Sequence, residues 1–149
     1  MFKTNGGRTV YGGGGITPDY IIKSEKINEY TRDLLKNNIF YQYSLNYIER
    51  KCKELNAVYG SDLERFVKDF QFSKSDIDKF ISLAESKDVK FVDNDFKEDK
   101  NYIETRLKAQ IARNYWKNEG WYSVMLTVDN QVEKALTLFD EAKEIANLK

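Results

Sequence analysis

From Asp19 to the C-terminus the chain contains no proline and two glycines, Gly60 and Gly120. Thr4 to Ile22 holds the other six glycines and the only proline, Pro18. Proline removes a backbone donor and glycine carries the largest backbone entropy cost, so both interrupt helices. A chain with this distribution divides near residue 23. Its opening is rich in turns, and the remainder lets helices run unbroken. The expectation is an all-α fold, a multi-helix bundle of about six helices over residues 24–149. A short Gly-rich β-hairpin and loop over residues 1–23 precedes it.

Apolar periodicity places the helices. The first spans about Ser24 to Asn37, with Ile27, Tyr30 and Leu34 on one face. In the second, Tyr41, Leu45, Ile48, Cys52 and Leu55 recur at spacings of 4, 3, 4 and 3. Gly60 breaks it. Ser61 and Glu64 form a capping-box pattern that opens a short helix through Phe66, Val67 and Phe70. Ser75 is expected to cap the next, burying Ile77, Phe80, Ile81 and Ala84. After a charged connector, Phe91 and Val92 dock as an extended piece. The longest helix is expected from about Asp95 to Gly120, a C-terminal stop, with Ile103, Leu107 and Ile111 in its central row. Trp121 to Leu126 reads as a short helix. Asp129 caps a last one that buries Val132, Leu136, Phe139, Ala142 and Ile145.

In the opening, two strand-like arms flank Asn5-Gly6, the signal of a two-residue type I′ turn. The run Gly12 to Gly15 suits a tight backbone crossing. An isolated two-stranded hairpin is marginal in water, and no further strand follows. The hairpin reads as an edge of a larger β structure.

Composition excludes several functions. Hydrophobic residues are 41% and charged residues 32%, ordinary globular values that rule out wholesale disorder. Basic and acidic residues balance at 24 each. Neither part of the chain has the cationic excess that nucleic acid requires. Histidine is absent, which removes Ser-His and Cys-His catalysis and the commonest zinc ligand. The single cysteine, Cys52, leaves no internal disulfide.

Four patterns invite a chemical reading, and each has a plainer one. The glycine run lacks the Gly-Lys-Ser/Thr ending of a phosphate loop, and Pro18 offers no N–H to an anion. Asp93, Asp95, Asp99, Asn101 and Glu104 fall at ligand positions of a calcium loop. Lys97 and Glu98, however, stand where a ligand and the turn glycine belong. Acidic residues in a helix's first turn explain them better. Ser73-Lys74 and Ser86-Lys87 are adjacent pairs on turns, with nothing to desolvate a lysine base. Tyr115-Trp116 and Trp121-Tyr122 read as core closure rather than as a ligand box or docking surface. No catalytic residue, cofactor site or metal site is assigned, and this chain alone is not expected to be an enzyme.

The stretch GGRTVYGGGGITPD, Gly6 to Asp19, resembles the segment that closes the protease core of carboxyl-terminal processing (tail-specific) serine peptidases. The pattern there is Gly-Arg-x-apolar-x-Gly-x-Gly-Ile-x-Pro-Asp. Gly7, Arg8, Val10, Gly12, Gly14, Ile16, Pro18 and Asp19 match it in order. The fuller TVYGGGG is similar to the Bacteroidetes-type version. LKAQIARNYW, Leu107 to Trp116, and VEKALTLF, Val132 to Phe139, are similar to the helical extension of those members.

The resemblance implies a serine nucleophile and a lysine base upstream of the glycine segment. It implies structural roles for Gly7, Arg8, Gly12, Gly14, Ile16, Pro18 and Asp19, and a periplasmic or cell-envelope location for the parent. Residues 1–23 would then be an incomplete end of the peptidase core. Residues 24–149 would be a non-catalytic C-terminal helical domain. Its partners would be the upstream core, the parent's protein substrates or a second copy of itself. The alternative from the residues is a stand-alone helical interaction module.

Overall fold

The computed structural model describes residues 1–4, 7, 9–10, 12–13, 18 and 20–146. Among these, eight α-helices, one 3₁₀ turn (Leu126–Val128) and one hairpin make up the regular structure: β1 (Phe2–Lys3), β2 (Thr9–Val10), α1 (Glu29–Lys36), α2 (Ile39–Val58), α3 (Leu63–Asp69), α4 (Lys74–Glu85), α5 (Asp93–Glu98), α6 (Lys100–Met125), α7 (Asn130–Leu136) and α8 (Phe139–Ala146). The all-α reading holds.

The hairpin register differs from the sequence expectation. Phe2 faces Val10 and Lys3 faces Thr9, which leaves residues 4–8 between the paired positions. A two-residue turn would set Lys3 opposite Arg8. The connection is one residue longer, and Gly7 absorbs the difference. Its φ is 81°, and its N–H donates to the Thr4 carbonyl at 2.9 Å. Glycine reaches that backbone region without a Cβ penalty. Asn5 and Gly6 themselves lie outside the described residues.

α2 and α6 form the centre of the bundle, with α1, α3, α4 and α5 packed around them. The inward face of α2 is rotated by one residue from the expected stripe. Phe40, Tyr43, Ser44 and Tyr47 are buried with Leu55, whereas Tyr41 and Leu45 are exposed. Ile48 and Cys52 sit half-buried between the two faces. α2 is aromatic on both phases, so spacing alone did not choose. The deciding contacts are Tyr43 edge-on to Phe80 at 5.4 Å and Tyr47 edge-on to Phe70 at 6.1 Å. Fully burying side chains such as Phe80 and Leu34 contributes about 1.5–3 kcal/mol each.

Local polar groups set the helix ends. Asn28 caps α1 by accepting from Thr31 N–H, so α1 starts at Glu29, later than Ser24. Asp62, not Ser61, caps α3. Ser73, not Ser75, caps α4, in a reciprocal box with Asp76. In both corrections a residue with a correctly placed oxygen lay within two positions of the expected one.

The expected Asp95–Gly120 helix is two helices, separated at Asp99. It also does not stop at Gly120. The backbone leaves the helix at Trp116 (φ −119°, ψ 17°) and Lys117 (φ 55°, ψ −139°), then resumes to Met125. Gly120 is buried in that second arm. A Cβ there would stand 2.6 Å from the Ala112 carbonyl oxygen, so glycine is required by close approach.

Asp129 does cap a helix, accepting from Gln131 and Val132 N–H. The last helix is divided at Thr137 and Leu138. It does not bury the expected row. Leu136 is 63% and Phe139 61% exposed. Ala142 is exposed and Val132 half-buried. Ile145's side chain lies outside what is described. No neighbouring element covers that face among the described residues.

Candidate functional site

Of the glycine-segment residues, Gly7, Gly12 and Pro18 are described; Arg8, Gly14, Ile16 and Asp19 lie outside the described residues. Gly7 makes the turn. Gly12 lies under the Phe2 ring, where a Cβ would sit 2.6 Å from the ring edge. Both glycines therefore serve the backbone path of the hairpin.

Beyond Pro18 the chain runs along the C-terminal helices. Gln131 Nε2 donates to the Ile22 carbonyl at 2.9 Å and to Ser24 Oγ at 3.2 Å. Asn130 Nδ2 donates to the Lys23 carbonyl at 3.0 Å. The Tyr20 hydroxyl donates to the Glu141 carboxylate at 2.8 Å, and Lys134 Nζ stands 5.6 Å from the Tyr20 ring centre. These contacts are polar and lie at the surface. Several apolar side chains of the same region are left uncovered: Ile21 is 77% exposed, and Leu136 and Phe139 are exposed too. The polar contacts define the junction of the N-terminal arm with α7 and α8.

A groove of about 460 Å³ adjoins it, between the segment before α1, the α5–α6 corner and the start of α7. The calcium-like stretch forms one wall, and its carboxylates serve α1. Asp99 Oδ2 accepts from Asn28 N–H at 2.9 Å, and Asp95 Oδ2 accepts from Tyr30 N–H at 3.4 Å. Asp93 pairs with Lys97 four residues on. Residues 93–98 are helical, so their oxygens are not arranged around a common centre.

Both serine–lysine pairs stand at helix ends. Ser73 Oγ donates to Asp76 in the α4 cap, and Ser86 Oγ donates to the Leu83 carbonyl at 2.7 Å. The neighbouring Lys74 and Lys87 are exposed. Of the aromatic quartet, Trp116 packs on Phe66 at 5.2 Å and donates Nε1–H to the Ser61 carbonyl. Trp121 lies between the Arg106 and Arg113 guanidinium groups, at 5.3 and 5.7 Å. Tyr122 is exposed. Three of the four therefore close the core.

The perturbed titrating groups belong to that core. Burial, with the Glu85 charge as a smaller cause, pushes the Tyr30 hydroxyl up to about 12. Burial also raises Tyr43, Tyr47, Tyr59 and Tyr115. It lowers Lys108, against the opposing pull of Asp69. Lys108 Nζ donates to the Val67 and Phe70 carbonyls at 2.6 and 2.9 Å, closing the C-terminal end of α3. None of these groups touches a serine or threonine nucleophile.

One feature escaped the sequence. Lys117 adopts a backbone conformation that favours glycine, at a cost of roughly 1–3 kcal/mol. It opens onto a shallow cleft of about 480 Å³ with Tyr41 and Arg113. No periodicity or motif marks such a residue. Its only sequence trace is that helical apolar spacing fails between Trp116 and Gly120.

Residues 30–117 match the model of a family of unknown function (DUF8443), and the chain belongs to that family. No curated protein and no solved structure matches it.

Proposed function

We propose that the chain is a non-catalytic C-terminal helical domain of a carboxyl-terminal processing serine peptidase. It braces or regulates a protease core that cleaves protein substrates through a serine–lysine dyad. The observation that carries this reading is that apolar side chains of the hairpin, the arm and α7–α8 are left uncovered in a chain that carries the peptidase-like glycine segment. Phe2, Ile21, Leu136 and Phe139 are all more than 60% exposed. A two-strand ribbon and short helices with exposed apolar residues are each marginal alone. Both gain stability if β1–β2 extend a sheet of the core and α7–α8 lie beside it. Catalysis then belongs to the core, which suits a chain without histidine whose serine–lysine pairs serve helix caps.

A second reading, a stand-alone interaction module, is favoured by a different observation. Every buried hydrophobic residue described, except Val124, lies within residues 30–117. The core is concentrated in that stretch, joined from the C-terminal flank by Val124, with Trp121 and Met125 packed against it.

Peptide hydrolysis separates the two. The chain alone is compared with a polypeptide that includes the sequence encoded upstream of it. Cleavage by the longer form only, with rate or specificity altered by deleting residues 24–149, supports the first reading. An upstream sequence without a serine–lysine core, or no cleavage by either form, overturns it and leaves the interaction module.

A further inference from the structure

We propose that the open cleft between the start of α2 and the kink in α6 binds a phosphate-like oxyanion carried on a small molecule. The argument begins at Lys117. Its φ of 55° and ψ of −139° suit glycine, yet a lysine occupies the position. Nothing inside the protein rewards that side chain. It is exposed, and it forms no hydrogen bond or ion pair with any described residue. A strained backbone that presents an unpartnered cation to a concavity points to an external ligand.

The rest of the cleft has the same chemistry. Arg113 lies one helical turn before Lys117, and its guanidinium is held 5.7 Å from the Trp121 ring centre. It too lacks a carboxylate partner among the described residues. The remaining lining is Tyr41, Gln110, Asn114 and Asn118, with no acidic side chain. Asn114 spends its amide on the Gln110 carbonyl at 2.8 Å. The Gln110 and Asn118 amides and the Tyr41 hydroxyl remain as donors. A planar guanidinium and an ammonium around a donor-rich concavity match the geometry and charge of a phosphate group. The cleft, about 480 Å³, exceeds what phosphate alone fills. The 51%-exposed Tyr41 ring offers a flat wall for the group that carries it. This proposal is independent of the peptidase reading.

The test is an amide ¹H–¹⁵N spectrum of the full chain titrated with inorganic phosphate at pH 7, with ionic strength held constant by chloride. The expected result is saturable shifts confined to residues near 41 and 110–118, with affinity reduced at least tenfold in Lys117→Gln and in Arg113→Gln. Lys117→Gln removes a charge that makes no hydrogen bond or ion pair with a described residue, so weaker binding there is not a folding defect. Arg113→Gln is read only if its spectrum keeps the parent dispersion, since Arg113 packs on Trp121. Shifts that do not saturate, shifts that chloride reproduces, or undiminished affinity in Lys117→Gln overturn the proposal.

Discussion

Gly120→Ala distinguishes a helix stop from a packing contact by the sign of its effect. In an open helical position, alanine in place of glycine stabilises by about 1 kcal/mol. Gly120 has no positive φ, so its backbone accepts alanine. The space does not. The new Cβ would lie 2.6 Å from the Ala112 carbonyl oxygen, 2.9 Å from its carbon and 3.0 Å from Trp116 Cβ. Two of these are backbone atoms, which cannot rotate aside. The arm after the kink must move outward from Ala112, and Val124, now buried, shifts with it. Overpacking of this kind costs about 1–3 kcal/mol. Taking about 2 kcal/mol against the helical gain of about 1 leaves a net loss of about 1 kcal/mol. Urea unfolding followed by Trp fluorescence reads this directly. With a slope of about 2 kcal/mol/M, the midpoint falls by about 0.5 M. A midpoint that rises, or stays put with unchanged slope, refutes the close approach and with it the fold-back of the arm on Ala112.

Five further outcomes are expected. Lys117→Gly relieves the backbone strain and raises stability by about 1 kcal/mol in the same urea assay; a loss instead removes the strain argument. Lys108→Met leaves the Val67 and Phe70 carbonyls without their donor and lowers stability by about 1–3 kcal/mol. Alkaline pH destabilises the protein, because the folded Tyr30 holds its proton up to about 12 while the unfolded residue ionises near 10. The stability is fully present below pH 10 and declines above it, by about 1 kcal/mol from this group at pH 11. Tyr30→Phe flattens that decline without loss at neutral pH, since the hydroxyl is buried without a partner. In the chain alone, Leu136→Asp with Phe139→Asp changes the urea midpoint little. In a polypeptide carrying the upstream sequence, the same pair changes protease resistance or activity if α7–α8 are covered there.

Helix existence was legible because apolar spacing, breakers and caps agree over most of the chain. Ile103, Leu107 and Ile111 all sit at 0% exposure, as their four-residue row requires. What failed was phase and ends. α2 carries Phe40, Tyr43 and Tyr47 on one phase and Tyr41, Leu45 and Ile48 on the next. Groups distant in sequence, the rings of Phe70, Phe72 and Phe80 among them, select between them. Ser61 and Ser75 each had a better-placed neighbour, and the winning oxygen depends on backbone angles that sequence does not print. Gly120 was the sharpest error. Glycine is common past a helix end and also where two backbones meet, and a single residue letter carries both meanings. The kink that decides between them is at Lys117, a residue type with no preference for it.

That kink also marks a boundary. The family match ends at Lys117, the residue where the α6 backbone leaves the helix. Before it lies nearly all of the buried apolar side chains; after it, among the described residues, Val124 is the only hydrophobic side chain that is buried. The segments outside residues 30–117 meet each other through Gln131, Asn130 and Glu141, in hydrogen bonds at the surface that contribute little in water. Ile21, Leu136 and Phe139 on these segments stay exposed. A helical core concentrated in residues 30–117, with flanks that meet each other through polar contacts and carry exposed apolar side chains, is the division expected if the core supplies folding and the flanks supply attachment. The hydrogen bonds hold the arm and α7–α8 in one register. Gln131→Ala with Asn130→Ala tests that register. The two substitutions should leave the urea midpoint of the core in place and raise amide exchange at residues 20–24. Unchanged exchange there means the arm is held by something other than these bonds, and the attachment argument loses its geometry.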